Sequence, residues 1–426
     1  MFLSLTTFFG SLALGVPVAF ALGAVSIGYL LLTGSASLNV VATIIFGGMD
    51  SFPLLAIPFF VMAGDLATRA EILPKLIDFA RALFGPVRGG LAHVNVASSM
   101  FFGGVTGVAV ADTAAVGGTM IPAMIRDGYP RGFAGAITAA SSVMGAVIPP
   151  SVAMLLIIYI MGGGLSVTRL FLAGAVPGLL IGVGMMIYVA ATARRRNFPR
   201  GGEHWSLADI WRTAIPALPG LGLPVIVLGG ILGGFFTPTE AGAIAVVYAV
   251  ILGFSYGTLD LRAIISTLLS SAKTSAMVYL LLGVAKLVAW ILVLNLVPQK
   301  IGMAIEPLIG SKEVFLLAVI AVFLIIGFVM EGVASMIMLV PIVAPMAKLF
   351  GVDGYHLALV VVMTVQIALI TPPVSIGLYL VCPLAGCTVR EVSLEVLPFI
   401  GVILAVILLV VFFPQVAMFL PRMLGY

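Results

Sequence analysis

Two proline pairs, Pro149-Pro150 and Pro372-Pro373, interrupt long apolar stretches in the first and second halves of the chain. Proline has no N–H and its ring clashes with the preceding helical turn, so each pair forces a helix to break. The break frees carbonyl groups just before the prolines, at Ile148 and Thr371. Carbonyls at the C-terminal end of a half-helix carry partial negative charge, and a small hard cation binds such oxygen atoms. The pattern therefore predicts one cation site in each half.

A glycine-rich segment precedes each proline pair and would bring more carbonyl groups to the same place. The first is FGGVTG at 102–107, and the second surrounds Glu331. Two helices that fold back at such glycines form a re-entrant hairpin, and glycine lets the backbone at its tip approach an ion closely. Glycines in membrane helices also act simply as close-packing positions, so both roles are open. The cation ligands predicted at the tips are the carbonyl groups of Gly103, Gly104, Gly327 and Met330 and the hydroxyl group of Thr106.

Asp112 and Glu331 are isolated charges beside the two predicted tips. An ionisable group inside a membrane segment is a functional candidate by default; the alternative is a carboxylate that clamps the hairpin backbone through hydrogen bonds. Half-helix N-termini carry free N–H groups that suit an anionic substrate such as a carboxylate. Polar residues in apolar surroundings either line such a site or bridge helices. The predicted substrate-binding residues are Asn95, Ser98, Ser99, Asp112, Glu331, Gln366 and Ser375.

The composition places these residues in a membrane protein. Of 426 residues, 62% are hydrophobic and 8% are charged, and the first charged residue is Asp50. Soluble domains contain about 45–50% apolar and about 25% charged residues, so a water-soluble protein is excluded. Because one span needs ~20 apolar residues, the charge-free runs predict an all-α polytopic membrane protein with ~11 transmembrane segments.

The two halves repeat the same order of features. A shift of about 223 positions places Pro149-Pro150 on Pro372-Pro373 and Gly104 on Gly327. Each half contains a glycine-broken hairpin, a proline-broken span and one further span. Internal repeats with paired discontinuous helices are typical of secondary transporters, whose binding sites lie near the middle of the membrane.

Charge placement predicts that these repeats are inverted. Basic loops at 69–88 and 194–212 are expected to be cytoplasmic, because cytoplasmic loops carry an excess of lysine and arginine. The spans predicted at 213–236, 239–258 and 275–297 then carry the chain to the other side of the membrane before the second hairpin. The first hairpin would enter from the cytoplasm and the second from the periplasm.

The same order predicts four parts of the chain. Residues 1–33 fit either one tilted span or a broken pair. Residues 70–84 and 259–273 are expected to form amphipathic helices at the membrane interface, acting as arms. The four parts are a first scaffold and arm segment at 1–89, a first transport half at 90–192, the basic loop with a second scaffold and arm at 193–312, and a second transport half at 313–426.

Several short strings, in this order, make the chain resemble a known family. The sequence is similar to the large membrane subunit, the DctM type, of tripartite ATP-independent periplasmic (TRAP) transporters, and the resemblance covers nearly the whole chain. The strings that carry it are FPLLAIPFF at 52–60, GGLAHVNV at 89–96, FGGVTG at 102–107, ADTAA at 111–115, IPPS at 148–151, FTPTEAG at 236–242, EG at 331–332 and TPPV at 371–374.

The resemblance implies an elevator-type sodium symporter in the bacterial inner membrane. It implies a small four-helix membrane subunit and a periplasmic binding protein as partners, with an organic acid as substrate and sodium as the coupling ion. No other cofactor is implied. The family's sodium positions fall here on Gly103, Gly104 and Thr106 with Gly145, Ile148 and Pro149, and on Gly327, Met330 and Gly332 with Thr371 and Pro372.

Two departures from the family pattern affect side-chain contacts to substrate. Thr106-Gly107-Val108 stands where many relatives have Ser-Gly-Ser, and Ser375 stands where many have glycine after Pro-Pro-Val. Rival functions are a stand-alone symporter of the same fold, a membrane-embedded hydrolase and a channel. The motifs HExxH, GxSxG, GxGxxG and the P-loop are all missing, so no enzyme activity is expected.

Overall fold

The computed structural model describes residues 2–34, 37–162, 164–200, 205–328, 330–372 and 375–426. Pro373 and Val374 of the second proline motif lie outside the described residues, as do the side chains of Phe52 and Pro53. The described residues form twenty α-helices and three short 3-10 turns, and an isolated bridge between Arg88 and Arg200 is their only β-type pairing. This agrees with the predicted all-α class.

The helices of the first half follow one another with short connections. They are α1 (Phe2–Ala13), α2 (Val18–Thr33), α3 (Leu38–Met49), α4 (Ala56–Arg69), α5 (Ile72–Phe84), α6 (Gly90–Thr106), α7 (Ala109–Arg126), α8 (Arg131–Ser142), α9 (Val152–Ile160) and α10 (Val167–Ala193). The 3-10 turns Phe52–Leu55 and Val143–Ala146 precede α4 and follow α8.

The second half continues with ten further helices. They are α11 (Leu207–Leu232), α12 (Pro238–Ser255), α13 (Leu261–Leu294), α14 (Val297–Ile305), α15 (Lys312–Gly327), α16 (Gly332–Leu349), α17 (Gly354–Ala368), α18 (Ile376–Ala385), α19 (Val389–Phe412) and α20 (Pro414–Met423). The third 3-10 turn, Glu306–Leu308, follows α14.

Six of the described helices are long and apolar enough to cross a membrane: α10, α11, α12, α13, α16 and α19. A seventh span results if Val297–Leu308 and Lys312–Gly327, which meet at 118°, are taken together. This finding supports a polytopic membrane protein. It does not confirm ~11 spans, because proline and glycine divide other apolar stretches into helices of 9–18 residues.

Several boundaries differ from the sequence-based expectation. Residues 1–33 form a broken pair, since the chain turns at Gly15, whose φ is +82°, before Pro17. Helix α3 was not anticipated. The arm expected at 259–273 and the span expected at 275–297 are one continuous helix, α13, because no glycine or proline separates them. The last apolar stretch of the sequence is divided at Pro414 into α19 and α20.

The amphipathic helix expected at 70–84 is confirmed as α5. Its apolar stripe is buried, whereas Glu71, Asp78 and Arg81 are exposed. Helix α13 has 34 residues and is therefore about 51 Å long, well beyond the ~30 Å hydrocarbon core of a bilayer. Its first turns must lie outside that core or the helix must be strongly tilted.

The element order of the first half recurs in the second. The pair α6–α7, the broken pair α8–α9 and the long helix α10 correspond to α15–α16, α17–α18 and α19. Ser151 caps the N-terminus of α9, and Ser375 caps α18 in the same way. The two caps are 224 positions apart, one more than the proline pairs, so the second half has one extra residue after its break.

Contacts between loops show how the two broken pairs lie relative to each other. At the start of α8, Arg131 donates a hydrogen bond from Nη1 to the carbonyl oxygen of Ala385 at the end of α18, over 3.2 Å. At the other end, the N–H of Ser166, after α9, donates to the hydroxyl oxygen of Tyr355 at the start of α17, over 2.8 Å. The start of each pair therefore lies beside the end of the other, and they run antiparallel.

Helices α3 and α13 approach closely through glycines. A Cβ atom at Gly283 would lie 2.9 Å from the carbonyl oxygen of Ile45 and 3.1 Å from Cγ of Met49, and one at Gly48 would lie 3.0 Å from Cα of Gly283. Small residues allow this kind of backbone approach, which drives helix association in membranes.

Replacing Gly283 by alanine should therefore destabilise the protein. The new methyl group would push α3 away from α13, a cost of about 1–3 kcal/mol, which exceeds the helix-propensity gain of about 1 kcal/mol. The measurement is the apparent melting temperature of the purified chain in detergent. Gly401→Ala is the matched control, because no contacting atom of the described residues lies within 4 Å of its added methyl group; equal melting temperatures for the two variants would contradict the packing account.

Candidate cation and substrate site

The first glycine-rich segment forms a tight connection between α6 and α7. Helix α6 ends at Thr106, and Gly107 adopts a left-handed conformation with φ of +64°, so that its N–H donates to the carbonyl oxygen of Gly103 over 2.9 Å. Glycine adopts this conformation without steric cost. Because α6 ends here, no backbone N–H of the described residues donates to the carbonyl oxygens of Gly104, Val105 or Thr106.

This tip packs directly on the first proline break. A Cβ atom at Gly103 would lie 2.5 Å from Cα of Gly145, and one at Gly107 would lie 2.5 Å from the carbonyl oxygen of Pro150. A Cβ atom at Gly104 would lie 3.6 Å from the carbonyl oxygen of Pro149. The structure therefore brings together the two predicted parts of the first cation site, and Gly103 and Gly107 have no room for a side chain.

A serine holds the two ends of the first break together. The hydroxyl group of Ser151 donates to the carbonyl oxygen of Ala146 over 2.5 Å and accepts from the N–H of Met154 over 3.3 Å. In the described part of the chain, no hydrogen bond is donated to the carbonyl oxygens of Ile148, Pro149 or Pro150. These oxygens remain available as acceptors next to the tip.

The second tip makes the corresponding contact with the second break. Gly327 packs on Ala368, whose Cα would lie 3.4 Å from a Cβ atom at Gly327, and a Cβ atom at Gly332 would lie 3.1 Å from the carbonyl oxygen of Val365. Met330, in the connection between α15 and α16, is buried in an apolar cluster with Leu22 of α2 and Val284 of α13. Ala368 thus occupies the position in the second half that corresponds to Gly145 in the first.

A serine also links the two ends of the second break by hydrogen bonds. Ser375 donates a hydrogen bond to the carbonyl oxygen of Leu369 and accepts one from the N–H of Leu378 over 3.2 Å. Thr371 and Pro372 are half-buried, and the hydroxyl of Thr371 donates to the carbonyl oxygen of Ile367 over 2.7 Å. The Ser375 hydroxyl, predicted to contact substrate, is therefore engaged within its own turn.

Asp112 lies in the first turn of α7 and is fully buried. A Cβ atom at Gly145 would lie 3.6 Å from Cβ of Asp112, and the hydroxyl groups of Ser99 and Ser142 lie beside its carboxyl group. The Ser142 hydroxyl donates its hydrogen bond instead to the backbone carbonyl oxygen of Thr138, over 2.8 Å. Among the described residues, neither carboxyl oxygen of Asp112 has a partner with hydrogen-bond geometry. A buried carboxyl group without a partner is costly, which makes this a candidate position for a bound cation.

Asn95 and Ser99 bridge α6 and α8. The amide nitrogen of Asn95 donates to the hydroxyl oxygen of Thr138 over 2.7 Å, and Ser141 donates to the amide oxygen of Asn95 over 3.1 Å. The Ser99 and Ser141 hydroxyls are 3.0 Å apart. These two predicted substrate residues therefore have helix-bridging partners.

The remaining polar candidates differ from one another. The Ser98 hydroxyl and the Gln366 amide oxygen are buried and have no hydrogen-bond partner within the described ranges. The side chain of Glu331 is exposed, caps the N-terminus of α16 and accepts from the N–H of Ala334 over 3.2 Å. Glu331 thus has the geometry of a clamp on the hairpin backbone.

Sequence reasoning missed the roles of Ser142 and Ser151. A signal existed for Ser151, because serine directly after a proline break is a favoured N-cap. Nothing in the sequence places Ser142 next to Asp112, since the two lie on different helices. In the described part of the chain, no group of three or more histidine, cysteine, aspartate or glutamate side chains could hold a metal ion.

Comparison with known proteins identifies the family. The sequence model of the tripartite ATP-independent periplasmic transporter, DctM component, matches residues 5–416. The chain is 35% identical over 422 residues to the sialic acid TRAP transporter large permease protein SiaM of Vibrio cholerae, covering 98% of this chain and 97% of SiaM. It is 37% identical over 397 residues to the C4-dicarboxylate TRAP transporter large permease protein DctM of Pseudomonas aeruginosa, covering 93% of this chain and 92% of that protein.

The fold is also shared with a solved membrane transporter. The YdaH transporter of Alcanivorax borkumensis aligns with a TM-score of 0.61 at 17% sequence identity, covering 88% of each chain. At this identity the likeness concerns the fold alone. The matched relatives are named as transporter permeases and not as enzymes. The chain therefore belongs to the DctM component family of tripartite ATP-independent periplasmic transporters and is a multi-pass membrane protein.

Proposed function

We propose that this chain is the translocation subunit of a sodium-coupled importer of an organic acid. The family is one of periplasmic transporters, and the named relatives carry sialic acid and C4-dicarboxylates. In this proposal a periplasmic binding protein delivers the acid, a small four-helix membrane subunit is the constant partner, and the complex lies in the bacterial inner membrane.

The observation that supports sodium coupling is the contact of each glycine tip with the turn before a broken helix. Gly103 packs on Gly145, and Gly327 packs on Ala368. At the first of these contacts, no hydrogen bond among the described residues is donated to the carbonyl oxygens of Ile148, Pro149 and Pro150. Sodium binds oxygen atoms at such helix ends. The proposed first site uses Gly103, Gly104, Thr106, Gly145, Ile148 and Pro149; the proposed second site uses Gly327, Met330, Gly332, Thr371 and Pro372.

Asp112 fits the first sodium site better than it fits the substrate. A buried carboxylate beside Gly145 repels the carboxylate of an organic acid and attracts a cation. The Ser99 and Ser142 hydroxyls beside it supply further oxygen atoms. For the acid, the N-terminal ends of α9 and α18 offer N–H groups next to the same two sites.

The contacts between loops support an inverted arrangement. Arg131 lies beside Ala385 on one face of the protein, and Ser166 lies beside Tyr355 on another. The first face also carries Arg196, which pairs with Glu395 over 2.6 Å. Arginine-rich loops favour the cytoplasmic side, so the first hairpin would open to the cytoplasm and the second to the periplasm.

In an elevator mechanism, one part of the chain slides past a fixed part. We assign α6–α10 and α15–α19 to the moving part, since the two hairpins and broken helices pack on one another. Helices α2–α4 and α11–α13 form the scaffold, with α5 and the first turns of α13 as the connecting arms. The tip residue Thr106 contacts this scaffold at Gly64 of α4.

Sodium dependence tests the function directly. In proteoliposomes that contain the complete transporter, replacing external sodium by potassium or choline should reduce uptake of a radiolabelled organic acid to background. Asp112→Asn removes the charge at the first site and should raise the sodium concentration for half-maximal uptake about tenfold, which corresponds to about 1.4 kcal/mol.

Asp127→Asn is the matched control, because Asp127 is exposed and lies outside both proposed sites. Its sodium titration should overlay that of the unmodified chain. Uptake that continues unchanged in potassium would show that transport is not coupled to sodium. A sodium titration of Asp112→Asn that matches that of the unmodified chain would show that Asp112 does not bind the ion.

A disulfide between tip and scaffold tests the elevator mechanism. Cβ of Thr106 would lie 3.4 Å from a Cβ atom at Gly64, close to the usual Cβ–Cβ range of about 3.5–4.5 Å in disulfides. With Cys382 and Cys387 replaced by alanine, oxidation of Gly64→Cys/Thr106→Cys should stop the uptake that the same variant shows when reduced, and reduction should bring back that level. The reference is the reduced variant because Thr106 is itself a proposed sodium ligand.

The control is a disulfide within the moving part. A Cβ atom at Gly135 of α8 would lie 3.6 Å from Cβ of Val381 of α18, so Gly135→Cys/Val381→Cys should keep transporting when oxidised. Full uptake by the oxidised tip–scaffold variant, with the bond verified by mass spectrometry, would rule out an elevator.

A further inference from the structure

A cavity of about 400 Å³ with two charged residues in its lining lies between the proposed scaffold and the proposed moving part. Asp50, Ser51 and Lys286 line it from the end of α3 and from α13, and Tyr159 and Pro341 line it from α9 and α16. It is separate from the two helix breaks. Its volume is within the range of about 300–1,000 Å³ typical of small-molecule sites.

Lys286 is the cation of this cavity. Its Nζ donates one hydrogen bond to the carbonyl oxygen of Gly47 over 3.0 Å. The ion pairs of the described residues involve Arg196 and Lys312 and not Lys286, so two N–H groups of its ammonium remain for a ligand. A lysine in a membrane segment is a functional candidate by default.

The position of Lys286 is set by a close backbone contact. A Cβ atom at Gly48 would lie 3.0 Å from Cβ of Lys286, so α3 packs directly against the first carbon of the Lys286 side chain. Across the cavity, the hydroxyl of Tyr159 donates to the carbonyl oxygen of Gly48. This bond joins α9 of the moving part to α3 of the scaffold, so a ligand in the cavity would touch both parts.

The charges of the cavity select a class of ligand. Asp50 lies in the same cavity and is likewise outside the ion pairs of the described residues. One cation and one carboxylate together suit a monoanion, whereas a second negative charge on the ligand would face Asp50. Asp50 and the hydroxyl groups of Ser51 and Tyr159 can accept hydrogen bonds, which suits a ligand rich in donors.

We propose that this cavity is an outer docking site for a hydroxylated monocarboxylate, in which Lys286 binds the carboxylate and Asp50 accepts hydrogen bonds from the hydroxyl groups. The cavity lies on the face that holds the loop after α9, which is the periplasmic face in the orientation given above. The inference rests on the proposed function in one respect, namely that the docked acid is then transported.

The test measures charge preference at the cavity without requiring transport. Ala289 lies on α13 in the cavity lining, and Ala289→Cys is introduced into the full chain with Cys382 and Cys387 replaced by alanine. Its labelling rates with an anionic ethylsulfonate and a cationic ethyltrimethylammonium methanethiosulfonate are compared. Lys286→Gln should lower the anionic rate and raise the cationic rate about fivefold each, the effect of one unit charge at about 4 Å in water, and so lower the anionic-to-cationic rate ratio about 25-fold.

Lys273→Gln is the matched control, since Lys273 is an exposed lysine of α13 about 20 Å further along the helix; its rate ratio should stay that of the parent. D-Gluconate should slow labelling more than succinate at equal concentration, and Asp50→Asn should reduce that difference. An unchanged ratio in Lys286→Gln, or equal protection by both acids, would overturn the proposal.

Failure of this inference can be told apart from failure of the proposed function. Sodium-dependent uptake, together with no charge preference in the labelling of position 289, would refute the docking site and leave the proposed function intact. A clear Lys286 effect on labelling, with uptake that does not depend on sodium, would leave the docking site and remove sodium coupling.

Discussion

A helix that breaks inside a membrane exposes backbone groups that cannot turn to water, and each one left unpaired costs several kcal/mol. This constraint organises the centre of the protein. At each break one serine, Ser151 or Ser375, caps the outgoing half-helix and also ties back to the incoming one. The carbonyl groups nearest the prolines remain unpaired in the first break. The glycine tip packs against these carbonyl groups and completes the proposed first cation site.

The two halves share this plan but differ in charge. The first half has Asp112 beside its tip, and the corresponding position of the second half, 223 residues later, is Ser335, whose hydroxyl donates to the carbonyl oxygen of Gly332 over 2.8 Å. Gly145 is likewise replaced by the larger Ala368. The carboxylate at the second tip, Glu331, is exposed and accepts a hydrogen bond from the N–H of Ala334, whereas that of Asp112 is buried without a partner among the described residues. Two sites built on one plan therefore present their charge differently.

Proline and glycine explain what the sequence could predict. Their backbone effects are local, so both breaks, both tips and the amphipathic α5 were expected where they occur. Helix α13 was not expected as one element, because its amphipathic first part and its apolar second part have the sequence patterns of two separate helices. The bridging partners of Asn95 and Ser99 could not be foreseen, because Thr138 and Ser141 belong to another helix. The family could be recognised because its short strings keep their order along the chain.

The central claim is that sodium binds where each glycine tip meets a broken helix. Hydrogen–deuterium exchange of the purified chain, in sodium and in potassium at equal ionic strength, tests this claim most directly. Bound sodium should slow exchange in residues 102–108 and 144–155 and in their counterparts around 326–335 and 366–378, with little change in α11 and α12. Exchange that is the same in both salts at these segments, or protection confined to the scaffold, would contradict the account.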